Sequence, residues 1–174
     1  MNKMQPCRKL LKYFPIALLS LLASCASPPE YPVEPYIEFV SFSKDTLRRA
    51  SSLSDFPARD TLLITFSFTD GDGDIGDEEN NQIFLTDLRN DEITKLEVPL
   101  VPELGASNGI KGKITARQFT KCCLYPDSLI LSECTPVQVT MTYDEVPFEL
   151  YIMDRKGHKS NVIQLPPVYI KCFD

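Results

Sequence analysis

The chain has 174 residues, 43% of them hydrophobic and 10% aromatic, with a formal net charge of −6. That length and apolar content suit one folded domain of ordinary size. The acidic balance, 24 Asp and Glu against 18 Lys and Arg, excludes electrostatic binding to nucleic acid or to an anionic surface.

In chain order, Lys3, Arg8, Lys9 and Lys12 form a basic start, followed by the apolar run FPIALLSLLAS at 14–24. The run is too short for a stable bilayer span, which needs about 20 apolar residues, and it reads as an export signal over residues 1–24. Its end, Leu22-Ala23-Ser24-Cys25, resembles the lipobox of bacterial lipoproteins. The resemblance implies cleavage before Cys25 and lipidation of its thiol, which holds the protein to a membrane through acyl chains. Beyond Cys25 the chain carries 14 basic and 24 acidic residues, a formal charge of −10. The lipid therefore anchors without help from charge. Residues 25–35 hold four prolines in the stretch ASPPEYPVEP and read as a stiff, extended tether. The expected location is the cell envelope, on the outer membrane.

The folded domain is expected over 36–174. Eight runs rich in β-branched and aromatic residues are predicted strands, at 36–42, 61–68, 81–88, 93–100, 112–119, 136–143, 148–154 and 161–172. Most alternate as half-buried strands do. Leu62, Ile64, Phe66 and Phe68 share one face, as do Val137, Val139, Met141 and Tyr143, and Phe148, Leu150 and Ile152. Turn-like segments separate the runs. Residues 44–59 form the one long irregular piece, with room for a helical turn that Pro57 would end. This pattern predicts an all-β fold, an antiparallel immunoglobulin-like β-sandwich of seven to eight short strands. The chain has no tryptophan, so the buried tryptophan of true immunoglobulin domains is missing.

Four cysteines remain in the domain: Cys122, Cys123, Cys134 and Cys172. An even number in an exported chain predicts two disulfides, and zinc-type C-x₂-C spacing is absent. Adjacent residues of a strand point to opposite faces, so Cys122 does not pair with Cys123. Two pairings stay open, 122–134 with 123–172 or 122–172 with 123–134.

The sharpest chemical feature is FTDGDGDIGDEE at 68–79, with six acidic residues and three glycines. Two alignments to an EF-hand loop fail. With Asp70 first, Ile75 falls where glycine is required and Asn81 where the terminal glutamate belongs. With Phe68 first, Gly73 and Glu79 fit but a phenylalanine stands in a ligand position. The loop is instead a D-x-D-x-D turn on a β scaffold. Closely packed carboxylates repel one another, and calcium, which takes six to eight oxygens, relieves that repulsion. The alternative is a solvated acidic turn. Candidate ligands are Asp70, Asp72, Asp74 and Glu79, with Asp154 and Asp87 as further oxygens if the fold brings them near. Asp77, Glu78 and Asn80 are expected to face solvent.

FSFTDGDGDIG, a later GKI strand and the final DRKGHKSN resemble small lipoproteins of Bacteroidota-type bacteria that carry a DGDGDIG signature. The resemblance spans roughly residues 36–171. It implies a cell-envelope, immunoglobulin-like domain and assigns no activity. In the last hairpin, Gly157 suits a positive φ and Asp154 can accept the backbone N–H groups that close the turn. Pro166 and Pro167 predict an edge or a break in the final strand.

No catalytic set is expected. His158 sits in a turn between lysines, no G-x-S-x-G elbow occurs, and the acids lie in one tight turn, unlike the facing pair of a glycosidase. The expected function is a non-catalytic binding or interaction module stabilised by calcium, its partner an envelope protein or glycan. The alternatives are a purely structural envelope subunit and, less favoured, a hydrolase.

Overall fold

The computed structural model of the protein describes residues 30–50, 60–76, 83–98, 109–125, 134 and 142–172. Among the described residues there are ten strands and no helix: β1 Tyr36–Phe42, β2 Thr46–Arg48, β3 Thr61–Asp70, β4 Ile83–Asp87, β5 Glu92–Leu96, β6 Ile110–Phe119, β7 Tyr143–Val146, β8 Phe148–Ile152, β9 Ile163–Gln164 and β10 Val168–Lys171. The fold is an all-β, antiparallel β-sandwich.

β3 lies between β1 and β6 in one antiparallel sheet. A second sheet runs β5-β4-β8-β9, again antiparallel. In a third, β10 lies between β2 and β7. The second and third sheets share two continuous chain runs, because only Pro147 separates β7 from β8 and residues 165–167 separate β9 from β10. Proline has no N–H for the ladder, so each run breaks there and changes sheet. The first sheet borders the second along both sides, β1 beside β9 and β6 beside β5. On the β1 side, Asn161 closes the gap. Its side-chain oxygen accepts the Ile37 N–H at 2.8 Å, and its amide donates to the Ile37 carbonyl at 2.9 Å.

Period-two patterning builds the core. Leu62, Ile64, Phe66 and Phe68 of β3 point inward together, as do Phe148, Leu150 and Ile152 of β8. Ile37, Leu47, Ile83, Leu85, Ile114, Val146, Val168 and Ile170 join them in one cluster. Fully burying side chains of this size is worth about 1.5–3 kcal/mol each.

The strand count exceeds the expected seven to eight for two reasons. The last run splits at Pro166-Pro167, as its prolines foretold. The irregular 44–59 stretch also contributes β2, which lies parallel to β10 and buries Leu47; residues 51–59 are outside the described set. Of the run at 136–143, Val137, Val139 and Met141 lie outside the described residues. Its last member, Tyr143, is 51% exposed, and the buried face of β7 carries Asp144 and Val146 instead.

The disulfides follow the first of the two pairings. Cys122 joins Cys134, with Cα atoms 4.8 Å apart, and Cys123 joins Cys172 at 6.0 Å. The second ties the segment after β6 to the end of β10.

Candidate metal centre

The alternation that builds the core also places the first acid. Asp70 continues the inward row 62-64-66-68 of β3 and is fully buried. Asp154 does the same for β8, two residues beyond Ile152 in the row 148-150-152, and is also buried. Each carboxylate therefore lies where a core side chain would be, at the end of its sheet.

The chain after β3 curls back over this point. Gly73 and Gly76 take positive φ, 72° and 88°, which glycine reaches without a Cβ clash. Ile75, 1% exposed, plugs into the core and pins the loop inward. The curl lets the Asp74 N–H donate to Asp70 Oδ2 at 2.9 Å. Asp74 is itself buried, and the Asp72 side chain is 17% exposed.

The hairpin after β8 meets this loop. Asp154 Oδ1 accepts the His158 N–H at 2.8 Å, Asp154 Oδ2 lies 2.7 Å from His158 Nδ1, and Gly157 turns the chain at φ 89°. The Arg155 N–H donates to the Asp74 carbonyl at 3.3 Å, and the Arg155 side chain donates to the Gly76 carbonyl. Lys156 Nζ donates to Asp72 Oδ2 at 2.5 Å and lies 3.6 Å from Asp74 Oδ2.

Asp70, Asp72, Asp74 and Asp154 thus converge, each offering a carboxylate oxygen within 4.8 Å of the others. Oxygens 2.3–2.6 Å from one calcium ion lie at most about 5 Å apart across it, so one ion can span the set. The second observation concerns hydrogen bonding. Asp70 Oδ1, Asp72 Oδ1 and both carboxylate oxygens of Asp74 are buried with no hydrogen-bond partner. Buried polar atoms are otherwise almost always paired, and an ionised carboxylate left so is costly. A cation supplies the missing partner, and this cluster of buried acids can hold one.

The electrostatics agree. Burial pushes the Asp70 carboxyl up to about 6, and Asp72, Asp74 and Asp154 add to that against the Asp74 N–H bond. Asp74 is raised by burial first, then by Asp154 and Asp72. Asp72 goes the other way: burial raises it, but the hydrogen bond and charge of Lys156, with smaller help from its neighbours, together hold it below the usual carboxylate range. Lys156 and His158 are raised by their bonds to Asp72 and Asp154 respectively.

Of the expected ligands, four come together. Glu79 lies outside the described residues, as do Asp77, Glu78, Asn80 and the lipidation candidate Cys25. Asp87 belongs elsewhere. It is fully buried at the end of β4, where Arg89 Nη2 and Nε donate to its two oxygens at 2.6 and 2.9 Å. Arg89 also donates to Asp144, whose Oδ2 accepts the Leu124 N–H at 2.7 Å. Burial raises the Asp87 carboxyl, but Arg89 outweighs it and holds Asp87 below the usual range. Sequence reasoning passed over Lys156 and His158 as partners of the acids. Their signal was the basic turn DRKGHK that carries Asp154.

Comparison of this chain with protein-family models, with curated proteins and with solved structures found no match.

Proposed function

We propose that this chain is a lipid-anchored cell-envelope protein whose β-sandwich is a non-catalytic binding or interaction module clamped by calcium. One observation carries the metal: four carboxylates from two separate turns meet at one point, with oxygens of Asp70, Asp72 and Asp74 buried and partnerless. Hard oxygen ligands in a flexible, glycine-containing loop favour calcium over softer ions. Exported proteins meet calcium at concentrations where a weak site still fills. The clamp joins the end of β3 to the end of β8, and so one sheet of the sandwich to the other.

Three features support the envelope assignment: the basic start with its apolar run, the Leu22-Ala23-Ser24-Cys25 box and the two disulfides, which persist in oxidising compartments. The strand order supports an immunoglobulin-like reading. With β1, β3 and β6 as strands A, B and E, and β5, β4, β8 and β9 as C′, C, F and G, the layers ABE and C′CFG follow that family's arrangement. An interaction role rests on this architecture, which offers end loops and edge strands to a partner.

Calorimetry of residues 26–174, which contain every described residue, tests the metal. Calcium is expected to raise the melting temperature and a chelator to lower it. At 100 times Kd, one ion adds about 2.7 kcal/mol. Melting unaffected by calcium would sink the clamp. For the anchor, Cys25→Ser is expected to abolish acyl labelling of the full chain; retained labelling refutes lipidation there.

A further inference from the structure

Lys156 stands at the metal centre in an unusual way. Its ammonium lies 2.5 Å from Asp72 Oδ2 and 3.6 Å from Asp74 Oδ2, so a positive charge already touches two of the four converging carboxylates. Yet the lysine belongs to the surface. Its side chain is 58% exposed, while those of Asp72 and Asp74 are 17% and 9% exposed. It reaches in from the hairpin turn, two residues after Asp154, on a long flexible stem. The deeper oxygens Asp70 Oδ1 and Asp74 Oδ1 still lack partners with the lysine in place, and Asp74 Oδ2 has no hydrogen bond beyond the 3.6 Å approach of the ammonium. The ammonium neutralises the mouth of the cluster and leaves its floor unsatisfied.

We infer that Lys156 is a tethered stand-in cation that makes the centre selective for divalent over monovalent ions. This rests on the proposed metal site. A sodium ion that displaced the ammonium would replace one positive charge by another and gain nothing electrostatically, while losing its own hydration. A calcium ion adds a charge and brings a shell of six to eight ligands that reaches the partnerless floor oxygens. The lysine then swings into water, where its exposed stem already lies. Lys156 thus sets a threshold: it excludes sodium and weakens calcium by competing for Asp72. A lysine that merely decorated the loop, or helped to hold the metal, would do neither.

The test uses residues 26–174 as wild type, Lys156→Met and Lys156→Gln, the second keeping a polar tip in case the apolar one disturbs folding. Calcium affinity is read by titration calorimetry. Melting is read in chelator with sodium chloride or choline chloride at equal ionic strength. Both variants are expected to bind calcium about two- to fivefold more tightly, the range of an exposed ion pair. In chelator with choline they melt below wild type. Sodium in place of choline raises the variants and leaves wild type unchanged, and saturating calcium brings all three together. If wild type binds calcium and the variants bind it equally or more weakly, or ignore sodium, the role of Lys156 is overturned and the metal centre stands. If neither wild type nor variants respond to calcium, both are overturned. Binding by the variants alone supports the inference in its strongest form, with the lysine holding the centre shut.

Discussion

Asp70→Asn is expected to act with opposite sign with and without calcium. Asp70 is fully buried, and its carboxyl is pushed from 3.8 to about 6 in the metal-free fold, by burial before its acidic neighbours. An acid whose folded pKa is raised binds its proton more tightly folded than unfolded. The contribution of Asp70 to stability is therefore greatest below about pH 4, falls as pH rises towards 6, and carries its whole cost at pH 7. The gap corresponds to about 3 kcal/mol at 1.36 kcal/mol per pH unit. Asparagine has nearly the same shape and no charge. Its amide oxygen can keep the bond from the Asp74 N–H, 2.9 Å long in the native chain, and its amino group faces the other carboxylates as a donor. In chelator at pH 7 the variant should be more stable by about 1–3 kcal/mol. At about 2–4 °C per kcal/mol for a chain of this size, that is a rise of roughly 2–12 °C. In excess calcium, wild type gains about 2.7 kcal/mol at 100 times Kd, the variant loses a ligand and gains little, and the difference closes or inverts. Calorimetric melts with EDTA and with calcium chloride read both signs. A variant that melts below wild type in EDTA, or keeps the full calcium response, refutes the account of Asp70 as a charge held for a cation.

Asp87→Asn is expected to cost about 3–5 kcal/mol at pH 7, because Arg89 stays buried with one partner fewer. Asp87 is held below the usual carboxylate range, so its contribution is present above about pH 4 and is lost as pH falls through its folded pKa; urea denaturation at pH 7 and pH 2 should show the deficit vanish in acid. The two disulfides close loops of different length, 49 residues for Cys123–Cys172 and 12 for Cys122–Cys134. By loop entropy, paired Cys→Ser changes should cost about 4 kcal/mol for the first and about 3 kcal/mol for the second, an order that urea midpoints check. Gly71→Ala should loosen the tether, because a Cβ there collides with the carbonyl oxygens of Tyr31 and Pro32; faster protease cleavage within 26–35 is the expected readout.

What the sequence revealed was what period-two patterning encodes. Rows such as 62-64-66-68 and 148-150-152 name their own buried faces, and extending each by one step reaches Asp70 and Asp154. Glycines between acids likewise announce a curled loop. Other features depend on partners distant in sequence. Arg89 stands two residues from Asp87, but that spacing alone does not tell an ion pair from a metal ligand; the pair is fixed by Asp144, 57 residues on from Asp87, which takes the other side of the guanidinium. β2 is three residues long, too short to show a period, and exists because β10 offers it an edge. Lys156 lay in the same hairpin as Asp154, but its contact with Asp72 spans 84 residues.

The backbone of Tyr31 and Pro32 passes across Gly71, the residue between the candidate ligands Asp70 and Asp72. The leading segment therefore docks at the same pole of the domain as the acidic loop. With Cys25 lipidated as proposed, that pole would be the one nearest the bilayer. Within about 8 Å of anionic headgroups, one Debye length in physiological salt, the loop would meet the divalent counter-ions that gather there. Its degree of filling would follow lipid composition as well as bulk calcium, and the same domain cut loose from its anchor would fill less readily.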